Sequence, residues 1–251
     1  MCRMLGVVAT RRIPIDVLRE FGQLADRGKV PADFGCASRG PEKRGHPDGW
    51  GVACLSATEE VYRRSPGSAA QDPKFGEAIQ EVARLVDPPF VLIAHVRRAT
   101  AVRSVEERFS HPFRRGLDGR AVFFAHSGGI EGFGVRDDRT DSLYLFERLR
   151  ETLGPISRPL ADIKEAAAAT KGLIDDEFPR KVSSYTFLLA DGPRLIAHRD
   201  ARDCVPYYAL HETRAPGTHL VCSEVLAALP GRWRLLRNGE FLELAADAAA
   251  A

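Results

Sequence analysis

The second residue of the chain is a cysteine, in "MCRMLG", directly behind the initiator methionine. A thiol there has two readings. It is a small buried residue opening a first strand, or, once Met1 is removed, it becomes a reactive chain terminus. A free thiol titrates near about 8.5 and an α-amine near about 7.7–8.0, so a terminal Cys2 would unite a nucleophile and a base in one residue. If Met1 stays, the amine is a peptide N–H and that base is gone. Further on, polar clusters fall at the ends of apolar stretches: "GHPDGWG", "AHVRRAT", "SHPF", "AHSGG" and "RTDS". Each alone has an ordinary explanation. Asp141 can N-cap a helix beginning at Ser142. His95 and His126 end apolar strands, where a satisfied structural histidine is the commoner case. Gly128-Gly129 suits a turn, and Arg97 and Arg98 suit a solvated strand end. Strand alternation puts His95 and Arg97 on one side, so Arg97 can turn a two-pronged guanidinium toward a carboxylate.

The elements that must position these residues are readable from periodicity. "RMLGVVA" predicts a buried strand immediately after Cys2, and "PIDVLREFGQLADRG" a helix with Pro14 near its start and Gly28 past its end. "DGWGVACLS" and "EEVYRRS" predict strands joined by a turn; "DPKFGEAIQEVARLV" predicts an amphipathic helix. "FVLIAHVRRAT" and "RAVFFAHSGGI" predict buried strands, the second running into a glycine-rich turn. "TDSLYLFERLRETLG" and "PLADIKEAAAATKGLID" predict helices. The last quarter predicts short strands: "SSYTFLLAD", "PRLIAHRD", "VPYYALHE", "THLVCSE", "RWRLLRNG" and "EFLELA". Strands, then helices, then strands, without βαβ alternation, indicate an α+β fold with largely antiparallel sheets. The terminal "ADAAAA" is expected to fray. "GQLADRGKV" imitates a phosphate-binding loop, but its glycine spacing is wrong and a valine replaces the required Ser/Thr.

Composition excludes several classes. At 251 residues, 44% hydrophobic and 28% charged, the chain suits a soluble globular protein. A net charge of +2 with interleaved signs gives no general attraction to nucleic acid or anionic membrane. No apolar run approaches the roughly 20 residues that span a bilayer, and "TRRIP" comes too early for a signal peptide, so a cytoplasmic location is expected. The five cysteines (Cys2, Cys36, Cys54, Cys204, Cys222) form no C-x-x-C pair. The expectation is therefore no disulfide framework and no metal site, with four of the five acting as small buried hydrophobes.

Taken in order, these stretches resemble the class II glutamine amidotransferase domain, one of the N-terminal-nucleophile hydrolases. The likeness is greatest to its small stand-alone branch, which includes γ-glutamyl amide hydrolases. The resemblance runs from Cys2 to about Trp233. It implies an α+β fold built as a four-layer α/β/β/α sandwich of largely antiparallel sheets, one domain over residues 1–251, and no cofactor. It implies that Cys2 is the nucleophile, exposed by methionine removal. Arg97 in "HVRRAT" would hold a substrate α-carboxylate, with Thr100 near the glutamine, and Asp141 in "RTDS" would bind the α-ammonium. The oxyanion hole of the family comes from an Asn-Gly turn; here Gly128 fits and Ser127 replaces the asparagine. His111 in "SHPF" is an expected pocket neighbour, "DGWG" (Asp48 to Gly51) a mostly structural hallmark, and Arg98 replaces a frequent aromatic residue.

The implied reaction is hydrolysis of the γ-amide of glutamine or a γ-glutamyl amide through a γ-glutamyl thioester, releasing ammonia or an amine. The partners are that small molecule and either a synthase subunit that accepts the ammonia or none. The alternative is a non-catalytic or slow glutamyl-binding regulatory subunit, which Ser127 favours and Cys2, Arg97 and Asp141 oppose.

Overall fold

The computed structural model describes residues 2–37, 43–100, 102–117, 120–153 and 159–245. In chain order the elements are β1 (Arg3–Ala9), α1 (Ile15–Arg27), β2 (Trp50–Ser56), β3 (Glu60–Ser65), α2 (Pro73–Leu85) and β4 (Phe90–Val96). Then come β5 (Phe113–Leu117), β6 (Arg120–Ser127), the short pair β7 (Val135–Arg136) and β8 (Arg139–Thr140), α3 (Asp141–Leu153) and α4 (Leu160–Glu177). The last are β9 (Thr186–Asp191), β10 (Arg194–His198), β11 (His211–Ala215), β12 (Thr218–Cys222), β13 (Arg234–Leu235) and β14 (Phe241–Ala245).

Two antiparallel sheets carry the architecture. One has the order β13-β11-β12-β1-β4-β2-β3, the other β14-β10-β9-β6-β5. Period-two alternation sorts each strand into two faces. On β1, Leu5, Val7 and Ala9 join a core under α1 and α2, whose contributions include Leu18, Phe21, Phe75 and Ile79. Met4 and Val8 point the other way, into a core between the sheets with Val91, Ile93, Phe123, Ala125, Leu188 and Leu195. Behind the second sheet, Val122, Phe124, Leu189 and Ile196 pack on α3 and α4 through Phe146, Leu149 and Ile163. The result is a four-layer α/β/β/α sandwich. The sheets approach closely where β1 carries Gly6: a Cβ there would lie 2.9 Å from Leu195 Cδ2.

Local signals explain the helix starts. The Asp72 carboxylate accepts the Lys74 N–H at 3.0 Å and Pro73 occupies the first turn, so α2 begins there. The other Asp72 oxygen accepts from Trp50 Nε1 at 2.9 Å, fastening α2 to β2. At the start of α3, the Thr140 hydroxyl rather than Asp141 accepts the Leu143 N–H, at 3.4 Å.

Three expectations need correction. "VPYYAL" is a turn rather than a strand: Tyr207 and Tyr208 are buried in a small cluster with Ala201, and pairing resumes only at His211. Within "RWRLLRNG" only Arg234–Leu235 pairs. The frayed end lies outside the described residues. The third correction concerns the thiols. Cys36 and Cys204 are joined in a disulfide across 168 residues, so they are not small free hydrophobes. Such a pairing leaves no local spacing signature. It fastens the loop after α1 to the turn before β11, beside the tyrosine cluster. Closing so long a loop should stabilise the fold by about 2–4 kcal/mol. Urea unfolding of Cys204→Ser, or of the wild type with reductant, is expected to lose that amount; unchanged midpoints would show that the bridge contributes nothing.

Candidate active site

Alternation delivers several polar residues to one end of the seam between the sheets. On β4, Val91 and Ile93 face that seam, so His95 and Arg97 continue the same side. On β1, Met4 and Val8 face it, which places Cys2 there too; on β6, Phe123 and Ala125 do so and Ser127 follows. The register fixes the neighbours, because Met4 pairs with His95 and Gly51 of β2 pairs with His95 from the other side. Close approach is needed here. A Cβ on Gly51 would stand 2.2 Å from the His111 carbonyl oxygen.

Cys2 is held by its backbone. Its N–H donates to Ser127 Oγ at 3.3 Å, and the same hydroxyl donates to the Cys2 carbonyl at 3.1 Å. Arg3, almost wholly buried, braces the strand start. It pairs with Glu224 at 2.5 Å and donates to the carbonyls of Tyr207 at 3.1 Å and Cys2 at 3.4 Å. Its guanidinium lies over the Tyr207 ring, 4.2 Å from the centroid. Burial by itself would raise the Cys2 pKa. The positive amino terminus, His95 and Arg97 outweigh it and bring the thiol down to about 5.

The His95 and His111 rings lie 4.2 Å apart, and His111 also contacts Phe113 at 4.4 Å. Burial, followed by the nearby His95 and Arg97, holds the His111 pKa well below the ordinary histidine value, so its ring is neutral. Arg97 is 6% exposed and donates to the Ser104 carbonyl at 2.6 Å and the Ser104 hydroxyl at 3.2 Å. Asp48, in the "DGWG" stretch, accepts the Ala99 N–H at 2.8 Å and pairs with Lys43. Its own N–H donates to the Arg97 carbonyl at 2.9 Å, so this stretch fixes the Arg97 backbone.

Asp141 accepts the N–H of Ile130 at 2.9 Å and of Ser142 at 2.8 Å, tying α3 to the glycine turn. That turn is tightly packed: a Cβ on Gly128 would meet the Ser184 carbonyl at 2.1 Å. His126 has both nitrogens engaged, Nε2 with the Ser184 carbonyl at 3.0 Å and Nδ1 with the Ser142 hydroxyl at 2.9 Å. The carbonyl can only accept, so Nε2 carries the proton and Ser142 donates to Nδ1. Burial lowers the His126 pKa to about 4, keeping it neutral.

The structure therefore brings Cys2 and Ser127 into direct contact, with His95, His111 and Arg97 around the thiol. Gly128 and Asp141 sit on the adjoining turn and helix start. Thr100 is exposed and is not gathered into the buried group. His126 is a fully bonded structural histidine; His95, given the same expectation, instead faces the thiol. Arg3, Ser104 and Tyr207 also brace the site, and no motif in the sequence marks them. The alternation that placed His95 beside Arg97 carried the usable signal that His95 faces the seam.

Two antiparallel sheets between helical layers, with Cys2 at the end of a central strand, define an N-terminal-nucleophile-type amidotransferase fold. The family model for class II glutamine amidotransferases matches residues 1–223, and the chain belongs to that family. YafJ of Escherichia coli (strain K12), whose name assigns it provisionally to the glutamine amidotransferases, is 26% identical over 212 residues, 79% of this chain and 72% of that one. Among solved structures, the glutamine phosphoribosylpyrophosphate amidotransferase of B. subtilis superposes with a TM-score of 0.63 at 16% identity, over 98% of this chain. The present chain spans 48% of that longer one. A glutamine aminotransferase class-II domain protein from Silicibacter pomeroyi gives 0.57 at 20% identity, over 98% of this chain and 96% of its own length. Among the described residues no helix is long and apolar enough to cross a membrane.

The thiol environment sets a measurable expectation. Burial raises Cys54 and pushes Cys222 up to about 12, whereas Cys2 is brought to about 5. Alkylation by iodoacetamide, followed by peptide mass mapping, should modify Cys2 selectively. Because the thiolate is the reactive form, the rate should rise with pH through a midpoint near 5. A midpoint near the ordinary thiol value of about 8.5 would contradict the described electrostatics.

Proposed function

We propose that the chain acts as one amidotransferase domain that hydrolyses the γ-amide of glutamine or of a γ-glutamyl amide, with Cys2 as nucleophile. The observation that carries this reading is the Cys2 thiol, lowered to about 5 and held by Ser127, in a chain of the class II glutamine amidotransferase family. Removal of Met1 leaves the amine on Cys2 itself. The sulfur attacks the amide carbonyl carbon, and the carbonyl oxygen becomes an oxyanion within reach of the Gly128 N–H. Collapse breaks the C–N bond and the nitrogen leaves as ammonia or an amine, taking a proton relayed by the α-amine. The γ-glutamyl thioester that remains is cleaved by water, giving glutamate and restoring the thiol.

Arg97 and Asp141 supply opposite charges that suit the α-carboxylate and α-ammonium of a free amino-acid end, which would favour γ-glutamyl groups over internal peptides. His111 stands as a neutral wall of the pocket, and Thr100 approaches substrate only from an exposed position. Either free amine is released or a separate synthase accepts ammonia.

One observation favours the slower alternative. The Ser127 hydroxyl is engaged on the Cys2 backbone in both directions, so its bonds are spent on positioning rather than on an oxyanion. A glutamyl-binding regulatory subunit would bind glutamine and accept a covalent label at Cys2 without turnover.

Kinetics on glutamine and a panel of γ-glutamyl amines separate these outcomes. Cys2→Ala should lower kcat/KM by at least about 10³-fold, the scale on which loss of a covalent nucleophile is felt. Activity surviving in that variant would remove the central claim. Arg97→Lys and Asp141→Asn should chiefly raise KM, by about tenfold or more, since each weakens a charge-assisted contact to a group that does not react. Wild-type kcat/KM in both would mean that the pocket lies elsewhere.

A further inference from the structure

Three donors converge at the seam in a pattern that hydrolysis does not require. One ligand atom each from Cys2, His95 and His111 lies within 4.8 Å of the other two. All three side chains are buried, at 4%, 0% and 2% exposure. Among the described residues, no nitrogen or oxygen partner reaches a ring nitrogen of either histidine, although all four atoms are buried; the Cys2 sulfur is the group that interacts with His95. That is costly, because a buried polar atom without a partner forfeits about 1–3 kcal/mol. Elsewhere in the molecule the same problem is solved: His126 and His46 each use both nitrogens.

We propose that Cys2, His95 and His111 form a site for one thiophilic divalent cation of the zinc type, which caps the sulfur. A sulfur with two imidazoles is the donor set that selects zinc or cobalt over magnesium or calcium. Tetrahedral coordination, with about 2.3 Å to sulfur and about 2.0–2.1 Å to nitrogen, places donors roughly 3.3–3.6 Å apart. The trio therefore needs to close by about 1 Å, within reach of side-chain rotation. With Met1 removed, the Cys2 amine can complete a five-membered chelate through its own sulfur; otherwise water takes the fourth position. The positive charge of Arg97 opposes a cation here, and Asp141 on the adjoining helix offsets it. The inference goes beyond the hydrolytic reading, because ion binding needs only the three donors, whatever reaction the thiol performs.

Cobalt titration of the full chain tests it directly. One equivalent of Co²⁺ should produce a thiolate-to-cobalt charge-transfer band in the near ultraviolet, displaced by Zn²⁺ and abolished by EDTA. The band can report only on Cys2, since Cys54 and Cys222 lie within the sheets and Cys36 and Cys204 are bridged. Cys2→Ser, and wild type alkylated at Cys2, should lose the band. His111→Ala should bind at least about tenfold more weakly, since outer-sphere partners alone are worth about 10–100-fold. Circular dichroism of each variant without metal separates lost folding from lost ligation, and the alkylated wild type avoids the question. No band at saturating cobalt, a band that survives Cys2 alkylation, or unweakened binding by folded His111→Ala would each overturn the proposal. A protein that binds cobalt but hydrolyses no glutamyl amide would keep this inference and lose the hydrolytic one.

Discussion

The exchange of two hydrogen bonds between the Ser127 hydroxyl and the Cys2 backbone is the contact on which the site depends. Cys2 begins a central strand of one sheet and Ser127 ends a central strand of the other, so this contact spans the seam. It sets the height of the thiol relative to His95 and Arg97, which belong to the first sheet, and to the glycine turn, which continues from the second. Any slip of one sheet over the other would separate the Cys2 thiol from the turn. The packing of Gly6 against Leu195, with no Cβ between them, resists that slip a few residues away.

The same end of the sandwich holds an unusual amount of buried charge. Arg3 and Arg97 are nearly inaccessible, and neither is left without compensation. Arg3 has a carboxylate, backbone carbonyls and an aromatic face; Arg97 has the Ser104 carbonyl and hydroxyl. Buried guanidinium groups are tolerated when their donors are satisfied in this way, and they create a positive environment. Arg97, together with His95 and the amino terminus, acts in one direction on two titrating neighbours. This positive charge draws the Cys2 thiol toward its anion and adds to the burial that keeps His111 neutral. Positive charge and burial together thus prepare an anionic sulfur beside an uncharged His111 ring.

Much of this was legible in the chain. The helices "PIDVLREFGQLADRG" and "DPKFGEAIQEVARLV" fall within a residue or so of Ile15–Arg27 and Pro73–Leu85, because their apolar spacing and proline punctuation are local properties. The strand "RMLGVVA" appears as Arg3–Ala9 for the same reason. What failed was non-local. "VPYYAL" has strand-like composition, but its tyrosines are claimed by Arg3, His46 and the turn beside Cys204. The Cys36–Cys204 bridge joins residues whose proximity depends on the whole sandwich. Within the site, the alternation that carried Arg97 to the seam carried His95 too. The choice between structural and facing histidine rested on partners: His126 has two, and His95 faces sulfur.

The sheet order also imposes a schedule on synthesis. β1 lies between β4 and β12, so the strand that carries Cys2 lacks one neighbour until residues near 222 have been made. Ser127 likewise reaches its place only after β9 is available to pair with β6. During most of translation one edge of β1 is therefore unpaired. Once β12 docks, that edge closes. The surroundings of Cys2 are therefore complete only when the last quarter of the chain has arrived.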